Sequence, residues 1–442
     1  MRSLFTKIAL VATLVTVLPG AAHASQARVD ALGLQTDYVQ DYVNILHYPS
    51  TIVRYQHLAY GDLGIKDTDG GDLPEFENNN EFPSDLENSA RTLGAYVSAT
   101  WLPGVWGVQL NENYSSLSPV YGSQYYNRNR NEGFTIMWGQ QFGGLALGAQ
   151  INNSQSSFTT PLGSTSPFPP GSAGAPAFGG LNARQAMNAI NEALGAETRN
   201  STGVAGGASI GWDSNGRKHT ADFGAQVRFL SLENEIVGVS RTEDDGNMAF
   251  AINARAQFAI SDNSYLVPVG NYYDIGLGTE FTDLVTPANN ATFENSVKGF
   301  QFGLAEAWVL RETDLLMLGI SLTSEKVEWN DPAVFAAPFE ATYSQTPALF
   351  GAVEVHPTGW LHLRAGAGKP MWSKLEVTNP AGAGTVELKD SPIQYALGLG
   401  FRIGGRLDLD ALVNQDFAFT GTWAASGTQE TPFSRLSMTY RW

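Results

Sequence analysis

The feature that most restricts this chain is alternation: apolar and polar residues exchange places at every second position, in segments of about ten residues, along most of its length. In TLGAYVSATW (92–101), Leu93, Ala95, Val97, Ala99 and Trp101 share one face; after a turn at Leu102-Pro103-Gly104 the chain returns through Trp106, Val108 and Leu110. A period of two is the period of a β-strand. The same unit recurs around Gly143-Gly144, around DSNG, at 261–264, at 311–314, at 356–359 and at Gly404-Gly405. Those seven tight hairpins, a first strand at 51–60 and a last one at 433–442 predict sixteen strands.

The last strand, FSRLSMTYRW, sets Leu436, Met438, Tyr440 and Trp442 on one face and Arg435, Ser437, Thr439 and Arg441 on the other. An even number of antiparallel strands can close on itself, so this strand is expected to pair with the first. Fourteen strands is the main alternative. The weakest assignment is the ninth strand, YLVPVGNYYDIGL, because Pro268 cannot donate to a ladder.

What the apolar face meets follows from composition. Charged residues are only 16% of the chain, glycines number 47 and aromatics reach 11%. Beyond the N-terminus no run of about 18 apolar residues could form a membrane helix. Few charges, many aromatics and short alternating strands suit an all-β fold: a transmembrane antiparallel up-and-down β-barrel with short periplasmic turns and long extracellular loops. Seven tryptophans near the tight turns or the C-terminus (101, 106, 138, 212, 308, 360 and 442) predict one interfacial girdle; Trp329, Trp372 and Trp423 fall toward the other rim.

The N-terminus carries Arg2 and Lys7, an apolar run over 8–18, and Ala22-His23-Ala24 before Ser25. That is a signal-peptide pattern over 1–24, and it sends the chain outside the cytoplasm, to the outer membrane of a Gram-negative bacterium. Residues 25–50 then form a periplasmic or lumenal arm and 51–442 the barrel. With no cysteine, no disulfide supports the fold.

If the apolar alternates face lipid, their neighbours face the lumen. Asp222, Arg228, Arg255, Glu354, His362, Arg364, Arg402, Arg406, Asp408, Asp410, Arg435 and Arg441 are the expected lining, serving selectivity or pairing with one another across strands. Glu306 is discordant, because its parity groups it with Phe300, Phe302, Trp308 and Leu310. The long connection at 155–200 is Pro/Gly-rich and then helical in period. Its Phe168, Phe178, Met187, Ile190 and Leu194 are candidates for a constriction or an apolar ligand. In the acidic loop at 61–90, Asp67, Asp69 and Asp72 space hard oxygens around two glycines, a calcium candidate beside the plainer reading of a solvated loop; no other cofactor is expected. A net charge of −17 argues against a nucleic-acid partner, and no enzyme is expected.

The C-terminal strand, with apolar residues at Leu436, Met438, Tyr440 and Trp442, resembles the signal that outer-membrane barrels present to their assembly machinery. The segment ARVDALGLQTDYVQDYVNILHYPSTI resembles the N-terminal arm of the long-chain fatty-acid transporter superfamily: Asp41, Asn44 and Pro49 match its pattern, whereas Tyr48 and Ser50 stand where that pattern has Asn and Ala. That resemblance implies a plug within the barrel and a hydrophobic ligand. Three functions follow from the sequence: a passive channel for small solutes, a transporter of hydrophobic compounds, and a surface-binding or structural barrel. Lipid, the assembly machinery and a solute or apolar ligand are the expected partners; the sequence assigns no oligomeric state.

Overall fold

The structure is a computed structural model that describes residues 25–33, 36–64, 91–112, 132–159, 196–236, 240–244, 246–276, 278–285, 287, 290–311, 313–329, 339–378, 385–390, 393–413 and 433–442. Alternation becomes strand throughout. The first half of the wall is β1 (Leu58–Gly64), β2 (Arg91–Ala99), β3 (Leu102–Glu112), β4 (Glu132–Phe142), β5 (Leu145–Thr159), β6 (Ala196–Ser214), β7 (Arg217–Ile236), β8 (Ser240–Asp244), β9 (Met248–Ala259), β10 (Ser264–Gly276) and β11 (Thr279–Asp283). The second half is β12 (Ala291–Phe293), β13 (Asn295–Leu310), β14 (Asp314–Trp329), β15 (Phe339–Thr358), β16 (Leu361–Pro370), β17 (Ser373–Thr378), β18 (Thr385–Asp390), β19 (Gln394–Ile403), β20 (Leu407–Val413) and β21 (Phe433–Arg441).

These 21 segments make sixteen staves, because five of them continue a neighbour past a short break, as β8 continues into β9. Every stave pairs antiparallel with the next, and β1 closes the barrel on β21 with Leu58 opposite Arg441 and Gly64 opposite Arg435. Closure leaves no free edge, so each stave has a neighbour to pair with on both sides. Several staves run to 19 or 20 residues, about twice what a bilayer requires, and so project past it on the long-loop side.

Three sequence expectations move. The first strand begins at Leu58 rather than at 51, because Pro49–Arg54 is a short 3-10 helix whose Ile52 is buried against the wall. The arm therefore extends beyond residue 50. The first hairpin turns at Thr100-Trp101, with Pro103 and Gly104 already in β3. Pro268 does lie in β10, and the β9–β10 register skips from Leu266–Phe258 to Val269–Arg255, so the ladder is interrupted where proline has nothing to donate.

The outer face is the apolar one. Leu93, Leu110, Ile151, Phe302, Leu318 and Leu436 are exposed, as is Trp442, while Trp106 and Trp138 both donate from Nε1 to the Pro103 carbonyl at 3.1 Å. Glu306 stays on this outer face, half-exposed between Leu266 and Leu318, with no bulge in the β13–β14 register. It sits four residues from the end of β13, near the interface, where a carboxylate reaches water at less cost than at mid-bilayer.

Candidate functional site

The inside of the barrel is occupied by residues 25–33 and 36–57. Helix α1 (Gln26–Ala31) is capped by Ser25, whose side chain accepts from the Arg28 amide, and three 3-10 turns follow at Thr36–Tyr38, Tyr42–Leu46 and Pro49–Arg54. Short turns rather than a long helix suit a segment that must bend around a wall. Asp41 caps the second turn in a capping box: its side chain accepts from the Val43 amide, and Asn44 Oδ1 accepts from the Asp41 amide at 2.7 Å.

The arm makes a circuit. Ala27 donates to Ser437 on β21, Ser25 to Asp410 on β20, and Ala31 lies against Gly398 on β19. Leu32 meets Gly366 on β16, Tyr38 meets Gly303 on β13, and His47 meets Gly224 on β7. Pro49 then covers Gly207 and Gly148 on β6 and β5, and Ile52 covers Gly139 and Gly107 on β4 and β3. At each of these positions an added Cβ would run into the arm. The glycine-rich composition therefore has a local cause: the inner wall is hollowed where a second backbone must pass.

Two clusters of charge fasten the circuit. In the first, Arg28 donates from Nε to both Glu354 oxygens, at 3.1 and 2.9 Å; Arg364 donates to Glu354 at 2.8 Å and to Asp410 at 2.6 Å; and Ser25 donates to the other Asp410 oxygen at 2.7 Å. Arg28, Glu354, Arg364 and Asp410 are all buried. In the second, Asp222 accepts from Arg54 at 2.6 Å and from Arg255 at 2.8 Å. Arg255 also donates to Asn44 Oδ1 at 2.7 Å and to the Val39 carbonyl at 2.9 Å, and lies 4.7 Å from the centre of the Tyr48 ring. Asp37 joins His47, at 3.0 Å, to Asn271, at 2.9 Å. Arg435 adds a separate ion pair to Asp30 at 3.2 Å.

Arg28, Glu354, Arg364, Asp410, Asp222 and Arg255 are paired and buried, and Arg54 is half-buried. Breaking a buried pair from one side costs about 3–5 kcal/mol. Between the clusters, Val29, Leu32, Tyr38 and Val39 pack on an apolar sector of the inner wall formed by Val267, Val269, Ala305, Ala307, Met317 and Ala352.

Asp41 gives the arm a pH dependence. Burial pushes its carboxyl up to about 8, against the opposing pull of Arg28 at 3.9 Å. The docked state thus favours protonated Asp41, so this group's contribution to docking is full below the ordinary carboxylate range and is lost as pH rises toward 8. Trypsin cleavage at Arg28 and Arg54 should be faster at pH 9 than at pH 6, and Asp41→Asn, which keeps the cap, should flatten that difference.

Of the residues expected in the lumen, Asp222, Arg228, Arg255, Glu354, His362, Arg364, Asp408, Asp410 and Arg435 point inward and are buried. Arg402 is half-buried and donates to Asp408 at 2.7 Å, and Arg441 is half-buried at the base. Arg406 is different: it is exposed in the turn between β19 and β20, where the chain reverses outside the lumen. Leu436, Met438, Tyr440 and Trp442 all face outward. Asp67, Asp69 and Asp72, and Phe168, Phe178, Met187, Ile190 and Leu194, lie outside the described residues, as does the signal-peptide pattern. Arg28, Asp37 and Arg54 do not figure among the expected site residues, although the two arginines are the only Lys or Arg between 25 and 57.

Glu354, His356 and His362 bring ligand atoms within 4.8 Å of one another. Both Glu354 oxygens are already taken by Arg28 and Arg364, and two guanidiniums beside the cluster oppose a cation. The cluster belongs to the arm's fastening.

Sixteen closed antiparallel staves with an apolar outer band define a β-barrel of the Gram-negative outer membrane. No protein-family description and no curated protein matches the chain. Among solved structures it is similar to the toluene transporter TodX of Pseudomonas putida, at 9% identity over 96% of this chain and 97% of that one, with a TM-score of 0.38. It is also similar to the ferric citrate transporter FecA (9% identity, TM-score 0.38) and to CdiB from Acinetobacter baumannii (10%, 0.38). The match covers 80% and 88% of this chain but only 58% and 60% of those two. At these values the likeness is one of fold alone.

Proposed function

We propose that the protein is a gated outer-membrane channel, held shut by its own N-terminal arm and opened when the arm undocks. The observation that carries this reading is the fastening of Arg28 to Glu354 and of Arg54 to Asp222 inside the barrel, with Arg28, Glu354 and Asp222 buried and Arg54 half-buried. A pore for steady passive diffusion would need that segment displaced. No side chain on the inner wall is assigned a catalytic role. In planar bilayers the wild-type barrel should be largely silent, and the double variant Arg28→Ala/Arg54→Ala should conduct. Equal, steady ohmic currents from both would sink the proposal.

A second reading, transport of hydrophobic compounds, is favoured by the apolar inner sector under Val29, Leu32, Tyr38 and Val39. Undocking would bare that sector to a passing ligand, in keeping with the resemblance carried by Asp41, Asn44 and Pro49. Apolar compounds that co-purify with wild type and are lost when Val267 and Val269 are changed to Ser would support it; a barrel that retains none would not.

A further inference from the structure

One stretch of inner wall carries polar side chains that the arm engages by hydrogen bonds only at Gln150 and Ser209. On β3 to β6, over 105–111, 133–139, 146–154 and 201–209, none of the buried inward side chains is charged. The cross-strand register places Gln109 opposite Thr135 and Thr135 opposite Asn152; one row further toward the long loops, Ser154 lies opposite Ser201. Amides and hydroxyls thus adjoin across consecutive staves.

Five of these buried groups keep a polar atom with no hydrogen-bond partner: Asn111 Nδ2, Thr135 Oγ1, Gln150 Oε1, Asn152 Nδ2 and Ser201 Oγ. Buried polar atoms are nearly always satisfied, so five in adjoining rows call for a partner that is not protein. The first of them is also oriented. Tyr96 donates to Tyr60 at 3.0 Å, Tyr60 to Gln109 Oε1 at 2.6 Å, and Gln109 Nε2 to Asn111 Oδ1 at 2.6 Å, which fixes the Asn111 amide with its own N–H groups unspent. Gln150 is held by the docked arm, donating to the Leu46 carbonyl at 3.0 Å, and its Oε1 has no partner there; it is released when the arm moves.

The free set mixes amide donors, an amide acceptor and hydroxyls, without charge. An ionic solute finds no counter-charge here, and an apolar one leaves every group unpaired. Vicinal hydroxyls, each both donor and acceptor, meet all five.

We propose that the lumen face of β3 to β6 is a binding track for an uncharged, multiply hydroxylated solute of the sugar class. The track rests on the gated-channel reading, since the solute reaches it once the arm has moved. It contrasts with the wall at β15, β16 and β20, whose charges are consumed by the arm and by one another.

The test uses the full mature chain carrying Arg28→Ala/Arg54→Ala in planar bilayers, with maltose as probe and gluconate as its charged counterpart. Maltose should block the open current in a concentration-dependent way and gluconate should not. Asn111→Leu/Asn152→Leu should raise the half-blocking concentration of maltose about tenfold, the loss expected when two neutral hydrogen bonds go. Thr135→Val, an isosteric change, should raise it by a smaller factor and guards against misfolding of the double variant. Current that flows but is untouched by maltose, or block that these substitutions do not shift, overturns the track, leaves the gated channel standing and means that water alone satisfies the five groups. No current from the arm variant overturns the gated channel, and the track falls with it.

Discussion

Glu354→Ala is expected to undock the arm and make the barrel conduct. Glu354 is the shared acceptor of Arg28 and Arg364, both buried, so its removal strands two guanidiniums in a dry interior. The cost of about 3–5 kcal/mol falls on whichever element can escape it. Arg364 keeps Asp410 at 2.6 Å; Arg28 keeps only Asp41 at 3.9 Å. Among the described residues, no backbone-to-backbone hydrogen bond joins residues 25–56 to a stave, whereas the wall is held by sixteen ladders. The arm should therefore leave and the barrel should stay. At about 1.4 kcal/mol per tenfold, the open-to-closed ratio should rise by about 10²-fold or more. The increase should be read as single-channel activity and as trypsin cleavage at Arg28 and Arg54. Glu354→Gln, which keeps the shape and one acceptor oxygen but puts an amide donor in place of the other and removes the charge, should fall between wild type and Ala. If Glu354→Ala stays silent and its arm resists trypsin, the latch is not at Glu354.

Much of the wall was legible because its determinants are local. A tight turn at Gly143-Gly144 or Asn215-Gly216 needs positive φ at Gly143, Asn215 and Gly216, and alternation on either side sets which face meets lipid. The first strand misled for an equally local reason. TIVRYQHLAY is rich in the β-branched and aromatic residues that favour strands, but they suit a 3-10 turn over so short a stretch as well, and Pro49 at the first helical position decides for the turn. The site was not legible in the same way. Arg28 and Glu354 are 326 residues apart and Arg54 and Asp222 are 168 apart, so their pairing is a property of closure, which no window of sequence contains. Parity alone sent Glu354, Arg364 and Asp410 inward; what they would meet there depended on an arm whose resemblance pointed to Asp41, Asn44 and Pro49 instead of to its two arginines. Arg406 shows the limit of parity from the other side, since a residue counted as inward on a strand lies in the turn once the strand ends at Ile403.

Gly224→Val and Gly366→Val should each abolish docking without weakening the barrel. A Cβ at Gly224 would overlap the His47 carbonyl, and one at Gly366 the Leu32 carbonyl; both obstacles are backbone, which no rotamer change can move aside. Valine is otherwise a favourable strand residue, so the ladders β6–β7–β9 and β15–β16–β19 have no cause to suffer. The two sites lie at different points of the circuit, beside the Asp222 and Glu354 clusters respectively. If the arm docks as one body, either substitution should expose both Arg28 and Arg54 to trypsin. If it docks in two halves, each should expose only its own arginine. Gly206→Val is the control: it lies on the outer face of β6, where an added Cβ finds only the Gly148 carbonyl at 3.9 Å. That variant should keep the arm docked and the bilayer current low. A conducting Gly206→Val, or a silent Gly224→Val with an uncut arm, would mean that the glycines of the inner wall do not make the room in which the arm lies.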